Sequence, residues 1–337
     1  MFTVENQVSG NQFKVADDET ILDGAINNGL GFPYGCRNGI CGKCKATLME
    51  GEVGYLKGIP PGLTPAEVSD NMILPCKCYA KTDISIVATE LENVADIEVK
   101  TLPCKVDKIE HLSADVAKIV LKIPGNDAMQ YIAGQYIDLI HPDFDPRAFS
   151  IANAPHNTGI IELHVRLISG GKFTDFVFNK MQEKSLLKIQ GPKGSFYLRE
   201  DSEKPMIMLA GGTGFAPVKA MIEHEIKSNS QRKIDIYWGV RSEQDLYMSL
   251  PYQWAEEHDH INFVPVLSIP DKNWQGRVGY VHEAVLEDFE TLVNFEVYAC
   301  GPPVMVTSAA NTFIKKDMLE KNFFNDSFDF THQTTDL

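Results

Sequence analysis

The sequence has no hydrophobic run long enough to cross a membrane. Its longest weakly polar stretch, Pro205 to Val218, is too short and is broken by glycines. The first ten residues lack both a basic region and an apolar run, so no signal peptide is expected and a cytoplasmic location is. There are no internal repeats and no low-complexity segment. Basic residues are in deficit: 31 Lys+Arg against 46 Asp+Glu leave a formal net charge of −15. That balance argues against a nucleic-acid partner, because phosphate binding needs a positive surface. With 44% hydrophobic and 23% charged residues, disordered and fibrous classes are excluded. A chain of 337 residues exceeds what one core usually serves, so two or three domains are expected.

Three regimes follow one another. Residues 1–96 read as short strands and glycine-rich loops: a hairpin of Phe2–Val8 and Asn11–Val15 around Ser9-Gly10, then a helix Ile21–Asn28 capped by Thr20 and stopped by Gly29. Residues 100–202 carry strands Ala117–Ile123, Tyr136–Ile140, Ile160–Leu167 and Leu186–Gln190, separated by turns at spacings typical of a small antiparallel barrel. In 203–337 the strands Met206–Ala210, Ile234–Gly239, Ile261–Leu267 and Phe295–Cys300 alternate with helical segments, the pattern of a doubly wound parallel sheet. The expected architecture is multidomain, α+β followed by α/β.

Seven cysteines are present, five of them between 36 and 78. Cys36-x4-Cys41-x2-Cys44, with Cys76 further on, has the spacing of a plant-type 2Fe–2S site. Gly35, Gly39 and Gly42 let the backbone wrap closely around sulfur. Zinc is the rival, but it favours paired Cys-x2-Cys knuckles and only Cys41/Cys44 form one. Cys78 stands close enough to replace Cys76, and Cys104 reads as a buried thiol. Arg147-Ala-Phe149-Ser150 follows a turn, Pro142–Pro146, after the apolar strand Tyr136–Ile140: an Arg suits a diphosphate, a Ser hydroxyl a ring nitrogen, and an aromatic face a ring. Gly171-Lys172-Phe-Thr174 opens a helix whose free amides suit a diphosphate. His164 reads equally as cofactor contact and as exposed strand face, with Val165 beside it. Ala210-Gly211-Gly212-Thr213-Gly214-Phe-Ala-Pro217 lies between a strand and a helix, where a dinucleotide phosphate can approach; a structural tight turn is the alternative by motif, and the position at the first strand of the alternating region favours the nucleotide.

Residues 20–80, through Tyr34-Gly-Cys-Arg-Asn-Gly-Ile-Cys-Gly-Lys-Cys44 and Leu74-Pro-Cys76, resemble a plant-type ferredoxin domain, which implies a β-grasp fold and favours Cys76 over Cys78 as fourth ligand. Residues 100–335 resemble the ferredoxin–NADP reductase superfamily. That likeness implies FAD on Arg147, Phe149, Ser150 and the Gly171–Thr174 turn, and a nicotinamide nucleotide on Gly211–Gly214 and Pro217. Cys300-Gly301-Pro302 then places Cys300 beside the nicotinamide, and Asp326 and Phe328 cap the flavin edge. Arg241 lies where ribose or its phosphate is read; Ser268–Asp271 adds no basic residue, so NADH is favoured while Arg241 leaves NADPH open. The implied order is hydride from the nucleotide to FAD, then single electrons to the cluster and to an acceptor protein. Within the superfamily the chain most resembles the reductases of dideoxyhexose biosynthesis, whose acceptor is a pyridoxamine-dependent CDP-sugar dehydrase. A phenol or aromatic-ring oxygenase component is the alternative acceptor, and a free-standing flavin or ferric reductase a third reading. Residues 1–96 hold thirteen acidic and seven basic side chains. If that charge rings the cluster, the acceptor face should be basic.

Overall fold

A computed structural model describes residues 1–35, 37–40, 42–91, 97–125, 129–156 and 159–328; Cys36, Cys41 and the tail beyond Phe328 lie outside them. The chain divides into two units, Met1–Glu98 and Val99–Leu337.

In the first unit the hairpin joins β1 (Phe2–Asn6) to β2 (Gln12–Val15), turning at Gly10 with φ +76°. Helix α1 (Ile21–Asn27) begins where Thr20 Oγ1 accepts the Asp23 amide at 3.1 Å, the N-cap its residue type suggested. A Cβ on Gly24 would lie 2.2 Å from Val15 Cγ1, so only glycine lets this helix sit so near β2. Strands β3 (Ala46–Glu50), β4 (Val53–Tyr55), β5 (Met72–Ile73), β6 (Cys78–Ala80) and β7 (Ile84–Val87) complete the unit, with a short helix α2 (Pro65–Ser69) before β5. The main sheet runs β2-β1-β7-β3-β5, with β1 parallel to β7 and the other pairs antiparallel, as in a β-grasp. Helix α2 has no counterpart in the sequence reading. It buries none of its five residues, which leaves no hydrophobic period to read, and a Thr64–Glu67 capping box starts it.

The second unit opens with a six-stranded antiparallel sheet, β8 (Lys100–His111), β9 (Val116–Lys122), β10 (Tyr136–His141), β11 (Phe144–Ser150), β12 (Ile160–Arg166) and β13 (Leu186–Lys193), ordered β11-β10-β13-β8-β9-β12. Its edges meet through an Ile151–Leu163 bridge and an Ala152 amide bond to the Glu162 carbonyl at 2.8 Å, which closes it into a barrel. Helix α3 (Lys172–Asn179) lies between β12 and β13. Strand β11 takes in Pro146, which the sequence reading assigned to a turn; proline is accommodated because β11 ends the hydrogen-bonded order.

A parallel sheet follows: β14 (Met206–Gly211), β15 (Ile234–Val240), β16 (Ile261–Leu267), β17 (Arg277–Val278), β18 (Glu296–Gly301) and β19 (Phe323–Ser327), ordered β17-β16-β15-β14-β18-β19. Helices α4 (Phe215–Lys227), α5 (Leu250–Glu257), α6 (Val281–Asp288) and α7 (Pro303–Lys316) alternate with the strands. Every residue of β14 and β18 is buried, which explains their unbroken apolar reading. The strand order reverses between β14 and β18, where a doubly wound sheet opens a crevice. Val116, Ala133, Phe196 and Leu198 of the barrel region share one apolar core with Met208 and Tyr298 of this sheet and Met221 of α4. Among the described residues no helix is long and apolar enough to cross a membrane.

Candidate functional site

In the first unit Cys44 and Cys76 are buried, 5% and 7% exposed. Arg37, Gly39 and Gly42 all take positive φ (53°, 78° and 72°), the conformation a loop needs to bend around a compact group. Tyr55 accepts the Leu74 amide at 3.3 Å, and its phenol is pushed up to about 12 by burial and by the thiols of Cys78, Cys44 and Cys76. Among the described residues no three ligand side chains gather at one point; the two buried thiols, Cys44 and Cys76, with the positive-φ bends beside Cys44, fit two of the four ligands of a thiolate-held cluster. Cys78 lies on β6 with no exposure, and burial together with Cys76 pushes its thiol up. Burial alone pushes the Cys104 thiol up to about 12. Cys36 and Cys41, the other expected ligands, are outside the described residues.

In the barrel, Arg147 and Ser150 lie on β11 beside α3: the rings of Phe149 and Phe173 are 5.9 Å apart. Arg147 Nη1 donates to the Asp145 and Pro146 carbonyls, at 3.4 and 3.2 Å, but its Nε is buried without a partner. Ser150 Oγ is likewise buried and unpaired. Two orphaned polar atoms on one strand are costly in a closed fold and fit a ligand that supplies acceptors and donors, as a flavin does. Gly171 caps α3 without any side-chain bond, while Thr174 Oγ1 is occupied by the Gly171 carbonyl at 3.1 Å and the Ile168 amide at 3.1 Å. Thr174 thus builds the turn, and Lys172 beside it is exposed. Replacing Ser150 with alanine should leave the melting temperature of flavin-stripped protein unchanged or higher while weakening FAD binding by roughly three- to tenfold. A lower melting temperature of the stripped protein would make the hydroxyl structural instead.

At the crevice two turns pack backbone to backbone. A Cβ on Gly214 would lie 2.1 Å from the Cys300 carbonyl oxygen, and one on Gly301 (φ +153°) 2.9 Å from Gly211 Cα. Pro302 caps α7 with its ring against Gly211. Cys300 and Thr213 are buried, and Pro217 lies in the first turn of α4. Strand β19 places Asp326 opposite Cys300, and the Phe328 amide donates to the Gly301 carbonyl at 3.0 Å. The C-terminal residues singled out by sequence thus reach the same turn. Trp238, which sequence reasoning passed over, donates from Nε1 to the Gly212 carbonyl at 3.0 Å and stacks on Phe215 at 4.2 Å. Beside the crevice is a cavity of about 530 Å³ lined by Arg241, Ser242, Asp115, Asp245 and Arg166. Arg166 donates to Asp115 at 2.7 Å, stands 3.7 Å from Asp245, and reaches Gly212 closely enough that a Cβ there would lie 2.6 Å from its Nη1.

The side chains of His164 and Val165, expected as cofactor contacts, are engaged inside the protein. Val165 points into the barrel core, and the His164 ring is fully buried with both nitrogens engaged. Its Nε2 lies 2.9 Å from Glu162 and its Nδ1 3.1 Å from the Tyr247 hydroxyl. The second face of β12 turns the His164 side chain toward Tyr247 and the Glu162 side chain toward Lys219, on a loop and a helix of the nucleotide-side region. Glu162 also pairs with the buried Lys219 at 3.2 Å, and Lys219 bonds Glu223 at 2.7 Å and the Ala152 carbonyl at 3.0 Å. Burial opposes ionisation of Glu162, yet the His164 bond and the Lys219 charge bring it down to about 2. Burial holds His164 below its usual range, so the neutral ring donates from Nε2 and accepts from Tyr247.

Three family models match in series: a 2Fe-2S iron-sulfur cluster binding domain over residues 3–81, an oxidoreductase FAD-binding domain over 103–197 and an oxidoreductase NAD-binding domain over 208–311. The chain is 44% identical, over 95% of its length and 96% of the relative's, to the CDP-6-deoxy-L-threo-D-glycero-4-hexulose-3-dehydrase reductase of Yersinia pestis. It is 31% identical to the reductase component of a phenol 2-monooxygenase from Pseudomonas, over 97% and 94% of the two chains. Among solved structures, the ferredoxin reductase of a carbazole 1,9a-dioxygenase superposes with a TM-score of 0.76 at 25% identity, covering 97% and 98%. The likeness thus runs through all three cofactor domains, and the chain belongs to the ferredoxin–NADP reductase-type oxidoreductases that carry an N-terminal 2Fe–2S ferredoxin domain and link NAD, FAD and iron–sulfur in one electron-transfer chain.

Proposed function

We propose that this reductase takes electrons from NADH and delivers them to a pyridoxamine-dependent dehydrase acting on a CDP-6-deoxyhexulose. The observation that carries this reading is the graded likeness: 44% identity to a dehydrase reductase, against 31% to reductase components of phenol and terephthalate oxygenases, at similar coverage. Arg147, Phe149, Ser150 and the Gly171–Lys172–Thr174 turn would hold FAD, whose chemistry when bound is to accept a hydride and release electrons singly. Gly211–Gly214, Pro217 and Cys300–Pro302 would seat the nicotinamide nucleotide. Cys300 would orient its ring, with Asp326 and Phe328 closing the flavin edge. Cys36, Cys41, Cys44 and Cys76 would hold the cluster. The orphaned Ser150 Oγ and Arg147 Nε support the flavin assignment.

The cavity beside Arg241 favours NADH. Asp115 and Asp245 line it with Arg166 and Arg241, and Arg166 is engaged by both carboxylates, so a 2′-phosphate at Arg241 would have to sit beside two carboxylates whose cation is already used. The expected result is a kcat/KM for NADH above that for NADPH by at least about tenfold, equivalent to about 1.4 kcal/mol. Equal values would remove this argument. For the acceptor, the chain should be mixed with NADH and either a purified CDP-hexulose dehydrase with its sugar substrate or a phenol hydroxylase oxygenase. Turnover of the dehydrase and not of the oxygenase is expected. The opposite outcome would assign the chain to aromatic-ring oxidation.

A further inference from the structure

The net acidity of the first unit does not sit where its cysteines do. Three segments lie at or beside Cys44 and Cys76: 34–45 (Cys36 and Cys41, outside the described residues, left aside), 56–63 and 74–78. They contain Arg37, Lys43, Lys45, Lys57 and Lys77, five of the seven basic residues in 1–96, and none of the thirteen acidic ones. The loops form one surface. Gly62 donates its amide to the Gly39 carbonyl at 2.8 Å, and a Cβ on Gly39 would lie 2.8 Å from both Pro60 Cβ and Lys77 Cγ. The neighbouring carboxylates Asp23 and Glu67 are already used, by Arg37 and Lys45. Lys57 and Lys77 are exposed and have no ion-pair partner among the described residues. Between them three large apolar side chains face solvent: Ile40 at 44%, Leu56 at 81% and Ile59 at 59% exposed. Clustered exposed apolar residues rimmed by charge mark an interaction site.

We infer that this basic-rimmed apolar patch is the docking surface for the electron acceptor, and that the acceptor presents carboxylates around an apolar centre. An acidic acceptor face runs opposite to the expectation of a basic one, which came from net charge alone: the three segments hold no acidic residue, and the two carboxylates beside them are paired. Complementary charge steers the encounter, and the apolar centre excludes water once the proteins meet. The inference rests on the proposed electron-donor role and adds the chemistry of the partner's face.

The test uses the holoprotein, NADH and two one-electron acceptors, acidic cytochrome b5 and basic cytochrome c. Each NADH becomes NAD⁺ and a proton, and its two electrons convert two ferric haems to ferrous. At low ionic strength the native protein should reduce cytochrome b5 faster than cytochrome c and, without NADH, bind ferric cytochrome b5 the more tightly in a titration. The K57E/K77E variant should slow cytochrome b5 reduction by about tenfold or more, weaken that binding in parallel, and speed cytochrome c reduction. The L56S/I59S variant should weaken binding of cytochrome b5 by roughly fivefold. In both, bleaching of the cluster by NADH within the chain should keep its native rate. Unchanged cytochrome b5 binding and reduction, or a native preference for cytochrome c, would overturn the inference. Slowed bleaching within the chain would also overturn it, by making the patch the seat of the chain's own flavin unit. A dehydrase that accepts no electrons while the cytochrome preference holds would count against the proposed acceptor and not against the surface.

Discussion

Replacing Cys44 with serine should leave the NADH-dependent bleaching of flavin intact and take reduction of cytochrome c to background. The residue is buried on a loop that bends through two positive-φ glycines, so a serine there has no ready alternative to approaching the same group. Serine is a poor substitute for a thiolate toward iron, and even replacements in the shell outside a metal's ligands cost roughly 10–100-fold. The loss should therefore be on the order of a hundredfold or more. Cys76→Ser should behave alike, and Cys78→Ser should keep most of the native rate, because β6 holds Cys78 inside the unit's core. The measurement is paired stopped-flow and steady-state assays on one preparation. Cytochrome c reduction at the native rate in Cys44→Ser would show that electrons leave from the flavin directly.

Lys219→Met should be the most damaging single change in the second unit. Lys219 is 4% exposed and serves Glu162, Glu223 and the Ala152 carbonyl at once. Removing it strands two carboxylates at the seam between barrel and sheet, a loss of about 3–5 kcal/mol for a broken buried pair. The melting temperature should fall by roughly 10 °C. The same network sets the acid limit of the native protein. His164 is held below its ordinary 6.5 by burial, so the unfolded chain takes up a proton that the folded one refuses, and stability falls as pH drops below about 6.5. Glu162 is held at about 2 against an ordinary 4.5, so its contribution is present above 4.5 and is lost as pH falls toward 2. Without Lys219 the carboxyl returns upward and the acid limb begins at higher pH. A scan of melting temperature against pH reads both effects. A variant melting within about two degrees of native, with an unchanged acid limb, would show the network to be dispensable.

Much of this molecule was legible as sequence because its elements announce themselves locally. Thr20 caps α1 as its type suggests, and the unbroken apolar runs of β14 and β18 read as buried parallel strands. The cysteine spacing and the two glycine turns were visible for the same reason: their chemistry is confined to short segments. What stayed hidden depends on partners far away in the chain. Strand β8 carries Pro103, and its three lysines and two acidic residues within Lys100–Glu110 alternate too loosely to show a face, yet β13 and β9 pair with it on both sides. The side chain of His164 could not be placed, because its setting is made by Tyr247 and Lys219, 83 and 55 residues on. The patch around Leu56 was invisible for a related reason. Net charge averages over a whole region, while docking depends on which loops fold together.

The order of the parallel sheet has a consequence for how the chain is made. Strand β14 leaves the ribosome first and ends up in the middle, with β15, β16 and β17 added to one side before β18 and β19 appear on the other. The glycine turn at 211–214 therefore emerges about ninety residues ahead of the Cys300–Gly301 turn that forms its opposite wall. A nascent chain halted anywhere in that interval carries half a crevice, with the edge of β14 unpaired and open to wrong neighbours. Synthesis is safest if this stretch is translated without pause, and slow codons inside it should lower the yield of folded protein more than slow codons between the two units.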